Sequence, residues 1–244
     1  MYEGIYKIAG KRIGITSLHK EVQELCEGYR TEGEAEILIR TTEEDIRLER
    51  EISGERDKKD GRKPLNYPDS YLETLAVYRK MVEKLLEHNI LLMHGSVVAV
   101  DGEGYLFTAK SGTGKSTHTG LWMEQFGERA LMINDDKPLI EIKEKEILVY
   151  GTPWDGKHHR STNCSVPLKA ICKIYRGETN TIAQMDKKEM YPVLLQQIYR
   201  PATAVGMAKT LDLIEKMTGQ VKLYQLHCNM DPEAAKVAYE GMQK

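Results

Sequence analysis

From Ala109 to Ser116 the chain reads Ala-Lys-Ser-Gly-Thr-Gly-Lys-Ser, a spacing suited to binding a polyphosphate. Gly112 and Gly114 let the backbone turn tightly enough to aim several N–H groups at one concave surface. A helix expected to start near Lys115 adds the positive end of its dipole. Lys115 supplies a mobile ammonium for β and γ phosphates, and the Ser116 hydroxyl can share Mg²⁺ with phosphate oxygens. Ser111, Thr113 and Thr117 complete the candidate cradle. The strict Walker pattern opens on Gly; Ala109 holds that place here and is small enough to keep the strand end close to the loop.

Two carboxylates follow. Asp135 and Asp136 come directly after the apolar run Ala130 to Ile133, so both should emerge at the end of a buried strand, where catalytic groups are commonly placed. One is suited to hold Mg²⁺, the other to accept the proton of an attacking hydroxyl. The residues alone leave open which does which; Asp135 as base with Asp136 as metal partner is the preferred order. His94, beside Gly95, is a third candidate, although hairpin geometry does not fix its direction. The stretch Gly151 to Arg160 is rich in turn formers and carries Lys157, His158 and Arg160, which are expected to clamp an anionic group of an acceptor or the phosphoryl group in transfer. Arg200, before Pro201, is a weaker candidate of the same kind.

The elements that position these residues can be read from periodicity. Ser96 to Val100 and Tyr105 to Ala109 are apolar runs joined by Asp-Gly-Glu-Gly, which predicts a hairpin whose second strand feeds the glycine loop. In ordinary Walker enzymes that strand has parallel neighbours reached through helices, so the hairpin predicts a different lineage. Helices are expected over Lys115 to Phe126, Asp186 to Arg200 with a bend at Pro192, Thr203 to Met217, and after Asp231-Pro232. Further strands are expected at Arg129 to Ile133, Pro138 to Ile142, Ile147 to Tyr150, Val166 to Tyr175 and Val221 to Leu226. Upstream, Ser70 and Glu73 have capping-box spacing for a helix ending near Asn89. Strand-like pieces occur at Tyr6 to Leu18 and Ala35 to Ile39. The charged run Thr41 to Lys63 is expected to be a mobile loop or linker. The expected fold is α/β: a phosphate loop on a mixed, largely antiparallel sheet with flanking helices, residues 67–244, preceded by a small β-rich segment, residues 1–66.

With 244 residues the chain can bury a substantial core without disulfides or a structural metal. A formal net charge of -2 gives no general pull toward nucleic acid or anionic membrane, so anion binding must be local. The four cysteines are scattered without a C-x-x-C pair, and neither a signal pattern nor a membrane-length apolar run is evident; a cytoplasmic protein is expected. The sequence does not fix an oligomeric state.

His94-Gly95, the hairpin, Ala109 to Ser116 and Asn134-Asp135-Asp136 together resemble the HPr kinase group, which is related to phosphoenolpyruvate carboxykinases. The resemblance covers roughly His94 to Ile140. It implies ATP and Mg²⁺ as cofactors, with His94 partnering a catalytic aspartate, Asp135 as base, and the metal near the Ser116 hydroxyl. The carboxy-terminal third departs from true HPr kinases, Tyr175-Arg176-Gly177 being only an echo of their signature. The resemblance is therefore to the looser class that modifies varied hydroxyl acceptors, on small molecules or peptides. Competing readings are a carboxykinase-like phosphoryl transfer, for which the substrate half looks too short, and an ATP-sensing module without turnover.

Overall fold

Tyr6, Ile8, Ile13 and Ile15 alternate with polar residues and point to one buried face, which is the pattern of a half-buried sheet. They lie on β1 (Tyr2–Ile8) and β2 (Lys11–Ser17), an antiparallel pair turned at Ala9 and Gly10, both at positive φ. After a short helix α1 (Glu21–Cys26), β3 (Ile37–Arg40) joins β2 in parallel. The computed structural model describes residues 1–59 and 61–243 and divides into two compact units, Met1–Lys84 and Leu85–Lys244.

The charged run is where expectation and structure part. Most of it forms α2 (Glu43–Lys59), not a loop; Asp60, within the same run, lies outside the described residues. Thr42 and Asp45 cap the helix start: Asp45 Oδ2 accepts from the Thr42 N–H and hydroxyl at 2.8 Å each. Ile46, Glu49, Ser53 and Asp57 then make a buried face at helical spacing. Its polar members are satisfied rather than solvated. Glu49 accepts a hydrogen bond from Arg79 Nη2 at 3.0 Å, and Asp57 accepts from the Leu65 N–H at 3.1 Å and from the Tyr67 hydroxyl. A face built from paired polar groups leaves no hydrophobic period to read.

α3 (Asp69–Leu86) follows, and most of it, up to Lys84, belongs to the first unit. The Ser70–Glu73 capping box is not formed. Glu73 is fully buried and accepts from the Leu18 and His19 N–H groups at 2.7 and 2.8 Å and from the Thr41 hydroxyl. The helix stops where expected, with Asn89 in the left-handed region at φ 61°.

The second unit is built on a nine-stranded mixed sheet. Its main path runs β4 (Ile90–Leu92), β8 (Leu139–Ile142), β9 (Ile147–Tyr150), β10 (Ser165–Arg176), β6 (Glu103–Thr108), β5 (Ser96–Val100), β7 (Ala130–Asn134). β12 (Lys222–Cys228) also pairs with β10, and β11 (Thr181–Gln184) with β12. Only the pairings of β10 with β6 and with β12 are parallel. The hairpin β5–β6 turns at Asp101 and Gly102, both at positive φ, as a two-residue turn matching the strand twist.

Both sheet faces are covered, which explains why β6 is buried along nearly its whole length. Leu106 and Ile171 face one core with α5 (Lys187–Gln197) and α6 (Ala204–Gln220); Tyr105, Phe107 and Cys172 face the other with α4 (Lys115–Phe126) and α7 (Glu233–Met242). Trp122 of α4 is the largest fully buried side chain and packs against Tyr105 and Phe107. Among the described residues no helix is long and apolar enough to cross a membrane.

Candidate functional site

β7 ends at Asn134, whose buried side chain organises the turn that follows. Its Oδ1 accepts the N–H groups of Asp136 and Lys137 at 3.0 and 2.6 Å. Its Nδ2 donates to Thr152 O and Oγ1, each at 3.1 Å. Both faces of the amide are used, so the turn has one orientation. The Gly95 N–H donates to Asp136 O at 3.1 Å, and Ser96 Oγ donates to Asp135 O at 3.2 Å, tying the turn to the start of β5. Asp135 and Asp136 are thus fixed through their backbones, leaving their carboxylates for other work.

Those carboxylates have different surroundings. Asp136 is part-exposed, with Lys137 Nζ at 2.8 Å from Oδ2 and His94 Nε2 at 3.4 Å from Oδ1. Asp135 is buried, and its Oδ1 is without a hydrogen-bond partner. A buried carboxylate oxygen with nothing to accept is costly, and such atoms in native proteins commonly serve chemistry or await a ligand.

His94 is held from the opposite side by a residue far away in sequence. Its Nδ1 lies 2.8 Å from Gln197 Oε1 at the end of α5, and its N–H donates to Gln197 O at 2.8 Å. With Gln197 Oε1 accepting, the ring proton is on Nδ1 and Nε2 faces Asp136. Burial lowers the His94 pKa, Lys115 and Lys137 lower it further, and Asp136 and Gln197 work in the opposite sense. The ring is neutral at neutral pH.

The glycine loop lies between β6 and α4 and completes this cluster. Gly112 and Gly114 have φ of 79° and 121°, a region that L side chains avoid, so the loop path depends on glycine there. Lys115 opens α4, is buried, and donates from Nζ to Ala109 O at 3.4 Å. Burial depresses its pKa below the ordinary lysine value, while Asp136 and then Asp135 counter that shift and Lys137 adds to it. His94, Lys115, Asp135 and Asp136 therefore share one electrostatic environment. Ser116 is half-buried in the first turn of α4; Ser111 and Thr117 are exposed.

The segment Gly151 to Arg160 reaches the acidic turn at Gly156, where a Cβ would stand 3.2 Å from Asp136 Cβ. Thr152 donates from Oγ1 to Lys137 O at 2.9 Å, and Asp155 is buried with Ser161 Oγ donating to it at 2.9 Å. Lys157, His158 and Arg160 are exposed on the outer part of the loop, and Arg200 is exposed beyond α5.

Four contributors received no role in the sequence reading, although Asn134 and Arg176 stand in runs quoted for the resemblance. Lys137 adds a second cation beside Asp136, Asn134 orients the turn, Gln197 holds His94, and Arg176 grips the glycine loop. Arg176 Nη2 donates to Gly112 O at 2.6 Å and Nε to Thr113 O at 3.3 Å. Lys137 and Asn134 flank the acidic pair and could have been suspected from adjacency. Nothing in the spacing points to Gln197 or Arg176, which meet the site only through the fold.

No family model matches the chain, and no curated protein matches it. Among solved structures, the chain is similar to the Hpr(Ser) kinase/phosphatase from Coxiella burnetii, with a TM-score of 0.35 and 11% identity over 61% of this chain and 94% of that one.

Proposed function

We propose that the chain is a Mg²⁺-dependent phosphotransferase that moves the γ-phosphoryl group of ATP to a hydroxyl of a small molecule or peptide. The observation that carries this reading is the gathering of His94, Lys115 and two aspartates beside a glycine loop at a helix start, with Asp135 Oδ1 buried and unpartnered. The loop N–H groups and the α4 dipole receive the phosphates, and Lys115 neutralises charge on the β and γ groups. Asp135 takes the acceptor's proton as the acceptor oxygen bonds to the γ-phosphorus; the bond from that phosphorus to the bridging oxygen breaks, and ADP leaves. Lys137 holds Asp136 in place. Lys157, His158 and Arg160, exposed after Gly156, would grip an anionic part of the acceptor.

Ser116 and Asp136 would hold Mg²⁺, which when bound would offset phosphate charge. The donors fit a hard oxygen-loving cation. Among the described residues no group of three or more His, Cys, Asp or Glu side chains could hold a metal by itself.

The test is the double replacement Asp135→Asn with Asp136→Asn. Triphosphate binding should persist while phosphoryl transfer, assayed with labelled ATP over a panel of hydroxyl acceptors, falls by about two to four orders of magnitude. Transfer at the wild-type rate would overturn the assignment.

A further inference from the structure

Beside the glycine loop, on the face of the sheet covered by α4 and α7, is a cavity of about 450 Å³. We infer that it receives the base and ribose of the nucleotide, with Arg176 linking base recognition to the loop; the inference rests on the nucleotide reading given above.

The first argument is continuity. Gly112, Thr113, Gly114 and Thr117 line the cavity, so the residues proposed to hold the phosphates also form one of its walls. A nucleotide anchored by its phosphates at Lys115 needs a place for its other end within one nucleoside length, and this cavity opens directly against the anchor.

The second argument is chemistry. The remaining walls include Leu121, Ile174 and Met230, which offer apolar surface for a flat heterocycle. His118 is also in the lining, and it is neutral: burial drops its pKa to about 4, and its Nε2 accepts from Trp122 Nε1 at 3.0 Å. No carboxylate is among the lining residues, so nothing there repels the phosphate chain. The size is within the roughly 300 to 1,000 Å³ of ordinary ligand pockets and suits a purine riboside.

The third argument is Arg176, which stands in the cavity wall while its guanidinium hydrogen-bonds Gly112 O and Thr113 O. A guanidinium is planar and stacks on aromatic rings, so a base entering the cavity meets a group already tied to the phosphate loop. Filling the cavity and ordering the loop then become one event.

Calorimetry on the full chain, with Mg²⁺-ATP and with Mg²⁺-tripolyphosphate, separates the two ideas. ATP should bind the wild type at least about tenfold more tightly, the difference being the nucleoside's contribution. Leu121→Trp, which fills the cavity, should erase that advantage and leave tripolyphosphate affinity within about twofold. Met230→Trp, at a side chain 77% exposed and so tolerant of replacement, should act the same way if Leu121→Trp fails to fold. Equal affinity for ATP and tripolyphosphate in the wild type overturns the cavity inference while the phosphate reading stands. If neither binds, the nucleotide reading itself falls. Photolabelling with 8-azido-ATP should mark peptides containing Leu121, Arg176 or Met230; labelling confined to other peptides also overturns the inference.

Discussion

Asn134 can neither move a proton nor neutralise a phosphate, yet it sets the direction of the two aspartates that follow it. Its amide is used on both sides, and the strand behind it is buried, so the chain leaves β7 along a single path. His94 is held by Gln197 twice, at a ring nitrogen and at its backbone N–H, and its other ring nitrogen lies 3.4 Å from Asp136. Its titration reports directly on the site. Because burial and then Lys115 and Lys137 disfavour the imidazolium, the His94 ring signals in NMR should titrate below the ordinary value of about 6.5. Lys115→Met removes one of those cations, so the midpoint should rise toward that value. A midpoint that stays put or falls would show that Lys115 and His94 do not share a site. At this scale the glycine loop, the acidic pair and the histidine were legible because each is a short run with its own chemical logic. Gln197 and Arg176 were not, since a side chain that meets a site from the far end of another element leaves no local trace.

At the scale of elements, the strands and helix around the glycine loop were readable, as were β1 to β3 and α3, whereas α2 was not. β5, β6 and β7 carry apolar runs bounded by turn formers, α4 is bracketed by Gly114 and Gly127, and all four occur within a residue or two of where those signals put them. α2 has the opposite character: its buried face is Ile46 with Glu49, Ser53 and Asp57, so composition suggested solvent where the fold has pairing. Glu73 shows how much depends on such pairing. It is 0% exposed and serves the Leu18 and His19 N–H groups and the Thr41 hydroxyl together. Glu73→Ala strips partners from several donors at once and should cost the first unit on the order of 2 to 3 kcal/mol in urea unfolding. A loss below about 0.5 kcal/mol would mean these donors find water instead. A capping box at Ser70 would have given Glu73 a local task; the structure gives it a tertiary one.

At the scale of the molecule, acid should expose the cost of burying His118. The unfolded chain takes up a proton on this residue near pH 6.5, whereas the folded chain resists until about pH 4 because burial disfavours the charged ring. Between those values the unfolded state binds more protons, so stability rises with pH across that window, and the penalty is complete below about 4. It reaches on the order of 3 kcal/mol. His118→Asn keeps an acceptor for Trp122 Nε1 but cannot be protonated, so its melting temperature should fall less than the wild type's between pH 7 and pH 4.5. Parallel declines would remove His118 from the account. A last consequence follows from β10, which accepts β9 along its first residues and β6 and β12 on opposite edges further on. The strand groups β4–β8–β9, β6–β5–β7 and β12–β11 are joined to one another in the sheet through this one ribbon. Withdrawing it would leave disconnected pieces. The second unit therefore has no seam along which it could be cut into viable halves, and its loss of structure should be a single concerted event in which the acidic turn and the cavity beside the glycine loop vanish together.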